Sequence, residues 1–312
     1  MFLLFICLPE DTQPQTTTHI MRFLLSLLVT SGSSFGFVVN TPHPHRFQTR
    51  FQTKKGSKFQ TSLNANIAVF GASGLTASEC VFQCLRDGDS VVGLTRSPSN
   101  LKVPAGSGGA TGTAGDPIPL SDTHPKLTMF AGSVTSKADV QKVFNTDTPI
   151  DGVIIALGGK TKDVGETMLR DGTSIVVEVM KEMGVSRLSV VSSIGVGDSK
   201  DQAPFFFKIL MGTVMSKIFK DKEAQEAVVR SSGLDYVIVR PGGLTVDAPT
   251  GVINVIDGEA GSIPRADVAQ FCIDAVKVAN FPYIGKSPCI SSVGGTSWVK
   301  DRSSKARGEG EM

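Results

Sequence analysis

The stretch Ile67-Ala-Val-Phe70-Gly71-Ala72-Ser73-Gly74-Leu75-Thr76-Ala77 decides the architecture. Four apolar residues that stop at a glycine read as a buried strand, and the segment from about residue 75 to 87 reads as a helix. A glycine-rich turn alone is a weak signal. A strand directly before it and a helix directly behind it are the context that gives it meaning. Gly71 allows the tight turn, Gly74 lets backbone approach a pyrophosphate, and Ala77 permits close helix–strand packing. The helix N-terminus adds partial positive charge. Gly71, Ala72, Ser73, Gly74, Leu75 and Thr76 are therefore candidate contacts to a dinucleotide, against the plainer alternative of a ligand-free turn.

The same rhythm repeats along the chain. Ser90-Val-Val-Gly-Leu-Thr95, Leu127-Thr-Met-Phe130, Gly152-Val-Ile-Ile-Ala-Leu157, Arg187-Leu-Ser-Val-Val-Ser192 and Asp235-Tyr-Val-Ile-Val-Arg240 read as further strands. Helical segments fall near 75–87, 136–145, 166–183, 216–232 and 265–277. Near-continuous apolar strands are what a sheet covered on both faces demands. The expectation is a doubly wound parallel α/β sheet over residues 64–295, a single domain with small C-terminal elements on the substrate side. Residues 296–312 read as a polar tail, and residues 104–125, rich in Gly, Ala, Thr, Pro and Ser, as a flexible surface insertion.

A mean hydropathy of +0.08 with 19% charged residues excludes a disordered, collagen-like or polytopic membrane protein. The net charge of +2 is unevenly spread: residues 1–63 hold six Lys/Arg against Glu10 and Asp11, and the remainder is net −2. That remainder offers nothing to a phosphate backbone, so nucleic acid is excluded as a partner. His124 is alone beyond residue 63, which leaves no inventory for a His-based triad or a His-rich metal site, and no metal is expected. Cys80, Cys84, Cys272 and Cys289 contain no C-x-x-C pair. Small buried hydrophobes are the simpler reading of them, redox chemistry the other.

Residues 1–63 read as a targeting presequence. Met21-Arg22 precedes the apolar run Phe23-Leu-Leu-Ser-Leu-Leu-Val29, too short to span a bilayer, and Thr30-Ser-Gly-Ser-Ser34 supplies small residues for cleavage. No Asp or Glu occurs from Thr12 to Ser78. A secretory-type core followed by a basic, hydroxyl-rich stretch, with Phe35 at the junction, resembles the two-part plastid presequences of algae with complex plastids. Secretion is the alternative, and Met1 or Met21 the initiator.

The second strand ends Thr95-Arg96-Ser97. No Asp or Glu is present to accept from a ribose 2′-hydroxyl, and Arg96 with Thr95 and Ser97 suits a 2′-phosphate instead, which points to NADPH. Ala156, Leu157 and Gly158, at the end of the strand beginning at Gly152, are assigned to the same cofactor site.

Together with Gly184-Val-Ser-Arg-Leu-Ser-Val-Val-Ser-Ser193, Ser232-Gly-Leu-Asp-Tyr-Val-Ile-Val-Arg-Pro-Gly242 and Pro264-Arg-Ala-Asp-Val-Ala269, these motifs resemble the atypical short-chain dehydrogenase/reductases, the NmrA-like and biliverdin-reductase-like NAD(P)-binding Rossmann proteins. The resemblance covers about 65–293. Catalytic members keep a Tyr four residues before a Lys, and a Ser at the end of the fifth strand. Lys222 matches the Lys, and Glu226, one turn further, is placed to pair with it. The Tyr position is Ile218. Ser133 stands where relatives usually carry an Asp near the adenine. Ser192 and Ser193 fit a site role or a turn-forming one.

The resemblance therefore implies an NADPH-dependent reductase of a planar conjugated acceptor, of flavin, quinone or tetrapyrrole type, with Ser192, Ser193 and Lys222 as catalytic candidates. The alternative is a non-catalytic NADPH-binding regulator or an assembly factor that meets a plastid protein partner. In residues 205–218, Phe207, Leu210, Met211, Val214, Met215 and Ile218 recur at helical spacing. This is a stripe buried on the domain, a flap over the acceptor, or a peripheral membrane contact.

Overall fold

A computed structural model of the chain describes residues 64–108, 118–119, 124–158, 166–213 and 215–292. The expected presequence and polar tail lie outside the described residues. The elements run β1 (Asn66–Phe70), α1 (Leu75–Arg86), β2 (Ser90–Thr95), β3 (Lys102–Val103), a single helical turn α2 (Ala105–Gly108), β4 (Ile118–Pro119), β5 (Leu127–Ala131), α3 (Lys137–Phe144), β6 (Gly152–Ile155) and α4 (Met168–Glu182). They continue with β7 (Arg187–Val191), α5 (Phe205–Gly212), α6 (Ser216–Arg230), β8 (Asp235–Pro241), β9 (Gly243–Thr245), β10 (Asn254–Val255), β11 (Ser262–Pro264), α7 (Arg265–Lys277) and β12 (Cys289–Ser291).

Eight strands form one sheet in the order β10-β12-β8-β7-β6-β1-β2-β5. Every pair is parallel except β10 with β12. The chain winds outward from β1 through β2 to β5, then crosses back to β6 on the other side of β1. That reversal opens a crevice at the carboxyl ends of β1 and β6, where ligands bind in open α/β sheets.

Both faces of the sheet are covered, which is why its strands read as unbroken apolar runs. Ile67 and Val69 pack toward α1 and α7 with Cys80, Val81, Cys84, Phe271 and Cys272. Ala68 and Phe70 point the other way, toward Val140, Phe144, Val176, Met180 and Val229 of α3, α4 and α6. In α4 the buried positions Leu169, Thr173, Val176 and Met180 keep three- and four-residue spacing, so one stripe faces the sheet. Gly88 at φ +85° turns the chain out of α1.

Two expectations are corrected. The insertion is not loose at its start: β3 pairs with β4, and α2 docks on α1, with Ser107 N–H donating to Glu79 Oε1 at 3.2 Å and Gln83 Nε2 to Ser107 Oγ at 3.0 Å. The stripe at 205–218 is two helices rather than one. Thr213 turns its hydroxyl back onto Ile209 O at 2.9 Å and leaves helical geometry at φ −115°, ψ −95°. Phe207 anchors α5 edge-on against Phe219 at 5.8 Å, while Phe205 (71% exposed) and Ile209 (51%) face solvent.

Candidate functional site

The parallel register pairs Phe70 with both Leu94 and Ile155, so the turn after β1 lies level with Thr95 and Ala156. Gly71 sits at φ +82° with its N–H on Leu94 O at 2.9 Å; a Cβ there would lie 2.8 Å from Ala156 O. Only glycine fits both the angle and the space. Gly74 is extended rather than left-handed and caps α1 without a side-chain hydrogen bond, and no acidic residue occupies the first turn. The positive end of α1 is therefore left to an outside anion. Ala72 is fully buried and offers only backbone, Thr76 is buried, and Leu75 stands 63% exposed beside the turn.

Ser73 Oγ and Thr95 Oγ1 are 2.6 Å apart, and Ser97 N–H donates to Thr95 Oγ1 at 3.4 Å. This hydroxyl hub joins the turn to the end of β2, with Arg96 exposed next to it. Ala156 and Leu157 are half-buried across the crevice, and Gly158 faces open space. Turn, strand end and β6 end thus meet at one place on the carboxyl side of the sheet.

Ser133 donates its backbone N–H to Asp139 Oδ2 at 3.1 Å and shares a hydroxyl contact of 2.8 Å with Thr135. Asp139 was missed in the sequence, although Ser136-x-x-Asp139 has the spacing of a helix-capping pair. Lys142 and the Ser133 amide hold its carboxyl below the usual range.

The three catalytic candidates separate. Ser192 is buried, and its hydroxyl is committed to Glu226 Oε1 at 2.6 Å. Ser193 is half-buried and donates to Ile194 O at 3.0 Å. Lys222 is half-buried and makes no hydrogen bond or ion pair among the described residues. Burial lowers its ammonium to about 8, against the pull of Glu226 and Asp221. The expected Lys222–Glu226 pair does not form. Glu226 turns inward, where Arg240 grips it with Nε at 3.0 Å and Nη2 at 2.7 Å, and Arg230 adds a contact at 2.9 Å. A guanidinium fork outcompetes a flexible ammonium on the same helix. Asp221 is engaged too, accepting from Leu169 and Arg170 N–H at 2.8 and 3.0 Å and so capping α4 from α6. Arg240 carried a legible warning, since an arginine inside an apolar central strand needs a buried acid.

A family model described as NAD(P)H-binding matches residues 71–278, from the glycine turn to the end of α7. The chain belongs to this NAD(P)H-binding family. It is an atypical short-chain dehydrogenase/reductase, as its motifs suggested. Among curated members, it is similar to an uncharacterized chloroplastic protein of Arabidopsis thaliana, 28% identical over 241 residues, 73% of this chain and 78% of that one. It is also similar to sanguinarine reductase of Eschscholzia californica, 27% identical over 250 residues, 70% and 86% of the two chains. Among solved structures, ChuY, an anaerobilin reductase from Escherichia coli O157:H7, superimposes with a TM-score of 0.56 at 23% identity, over 74% of this chain and 98% of that one. The last likeness is one of fold.

The residues present suit the family's cofactor. The uncapped α1 terminus, the exposed Leu75 and the open space at Gly158 form a cradle for a pyrophosphate with an apolar neighbour.

Proposed function

We propose that the chain is an NADPH-dependent reductase of a conjugated acceptor of flavin, quinone or linear tetrapyrrole type. The observation that carries this reading is Ile218, an aliphatic side chain one turn before Lys222 on α6. Neither tyrosine substitutes for the missing phenol. Tyr236 opens β8 at the opposite edge of the sheet from Gly71, and Tyr283 packs against Phe271 and Phe281. A simple ketone would lack acid–base help worth about 10²–10⁴-fold. A ring system that spreads incoming charge, and takes its proton from solvent, does not need it.

When bound, NADPH supplies the hydride. The amides of the Gly71–Thr76 turn would hold its pyrophosphate, Arg96 with Thr95 and Ser97 its 2′-phosphate, and Lys222 the nicotinamide ribose. Ala156, Leu157 and Gly158 would line the floor, and Ser193 would orient the acceptor. Ser192 supports this edge through Glu226. Lys208 and Lys217 pair with Asp201 and Glu166, which favours Phe205 and Ile209 as a cover over an apolar acceptor rather than a contact to anionic lipid. The sanguinarine reductase relative supports the reductase class. A plastid address is supported by the acid-free N-terminal sequence and by the chloroplastic relative.

The test is NADPH oxidation by purified protein with flavin mononucleotide, a quinone and a linear tetrapyrrole in turn. Turnover of one of these, and not of an aliphatic ketone, is expected. Tight NADPH binding with no turnover of any would favour the regulator or assembly factor, a reading supported by the commitment of Ser192 to Glu226.

A further inference from the structure

The connection that leaves β7 at the carboxyl edge of the sheet, residues 194–202, passes through two left-handed glycines, Gly195 at φ +88° and Gly197 at φ +58°. Glycine permits such angles but does not hold a chain in them. Polar contacts do that here. Ser199 Oγ accepts from Gly195 N–H at 3.0 Å and donates to Val196 O at 2.8 Å, and Ala260 N–H donates to Gln202 O at 3.1 Å. At the rim, Asp198 Oδ1 lies 2.7 Å from Arg240 Nη2.

The two ends of that last contact differ sharply. Arg240 is 2% exposed, whereas the Asp198 side chain is 81% exposed. An ordinary surface ion pair contributes little. This one has its cation fixed in the core by Glu226, which also takes Ser192 and Arg230. The set is two cations and two anions, of which Arg240 and Glu226 are buried and balance each other, so removing the Asp198 charge takes away the outer tie without leaving an unpaired charge in the core. Burial of its inner edge pushes the Asp198 carboxyl up, but Arg240 and Arg230 outweigh that and keep it ionised below the usual carboxylate range. The first residue of the connection, Ile194, packs with Ala260, Cys289 and Phe207. The position of this turn is therefore passed on to α5, which carries Phe205 and Ile209.

Resting on the reductase reading, we propose that Asp198, held by the buried Arg240–Glu226 pair, is a positioning residue that fixes the acceptor-side turn and sets acceptor affinity without affecting nucleotide binding. Its exposure makes it separable from the core pair: Asp198→Asn keeps size and leaves Arg240 on Glu226.

The experiment uses the purified full chain as wild type, Asp198→Asn and Asp198→Glu. Amide hydrogen exchange over 194–202 should quicken about tenfold in Asp198→Asn, the scale of one hydrogen bond between charged groups, and return toward wild type in Asp198→Glu. KM for the acceptor that turns over best should rise by a similar factor, with kcat and the NADPH Kd from fluorescence quenching unchanged. Unaltered exchange, an unaltered KM despite faster exchange, or a parallel loss of NADPH affinity would each overturn the proposal. Wild-type protein that oxidises NADPH with none of the acceptors sinks the reductase reading alone. The exchange measurement needs no acceptor and still decides whether Asp198 orders the turn.

Discussion

The hydroxyls of Ser73 and Thr95 meet at 2.6 Å, a direct tie between the turn after the first strand and the end of the second. Arg96 follows directly on that strand end and is exposed, and the proposed function gives it the 2′-phosphate of NADPH. Arg96→Ala should weaken NADPH binding roughly 10–100-fold, the range of a charged hydrogen bond, and leave NADH almost unchanged. Calorimetric titration of both nucleotides reads this directly. Equal losses for the two would remove Arg96 from the role.

Gly74→Asp should abolish binding of both nucleotides while the protein stays folded. The position is extended and caps α1, where aspartate is a favoured residue, although its Cβ must ease past Gly71 O at 3.1 Å. Its carboxylate would stand where the pyrophosphate belongs. Gly71→Ala should behave differently. With φ at +82° and Ala156 O at 2.8 Å from the new Cβ, it should cost about 1–3 kcal/mol of stability, visible as a lowered Tm.

Lys222 gives a pH signature. Its ammonium titrates at about 8, and a ribose contact favours the charged form. NADPH affinity should therefore be highest below pH 8 and fall as the pH rises past it. Lys222→Arg should flatten the profile over pH 7–9.5, and Lys222→Ala should raise the apparent NADPH KM at neutral pH. The sign for stability is opposite. Between about 8 and the ordinary lysine value of about 10.4, the unfolded chain binds a proton that the folded chain does not, so this group favours folding more as pH rises. An affinity profile unchanged by Lys222→Arg would detach the lysine from the nucleotide.

Glu226→Gln should cost about 3–5 kcal/mol, because it leaves Arg240 charged and under-paired in the core. Joint replacement by Glu226→Leu and Arg240→Met should recover much of that in a urea titration. A single variant as stable as wild type would show that the pair contributes nothing.

The six main strands and five long helices were legible because their packing repeats simple periods: both faces buried for the strands, one stripe for the helices. β9, β10, β11 and β12 escaped because two or three residues are too short for any period, and their pairing depends on distant partners such as Arg240 opposite Cys289. The break between α5 and α6 was invisible since Met211, Met215 and Ile218 keep helical spacing across it, while the break itself lies in the backbone angles of Thr213, which side-chain periodicity does not report. In the candidate site, the place of the glycine turn between β1 and α1 could be read locally. The fate of Glu226 could not, because its partner arrives from a strand fourteen residues later.

Gly106 touches three bodies at once. A Cβ on it would meet the Glu79 carboxylate of α1, the Asp247 carbonyl at 3.0 Å and the Ala266 methyl of α7 at 3.3 Å. Gln83 ties the same seam by donating to both Ser107 Oγ and Ala266 O. The hydrogen at this position is what lets the second turn of α1, the first turn of α7 and the loop after β9 close on one point, where the hydrogen bonds of Glu79 and Gln83 tie α2 and α7 to α1. A methyl group at 106 should therefore push the seam apart and speed amide exchange in α1, α7 and that loop together.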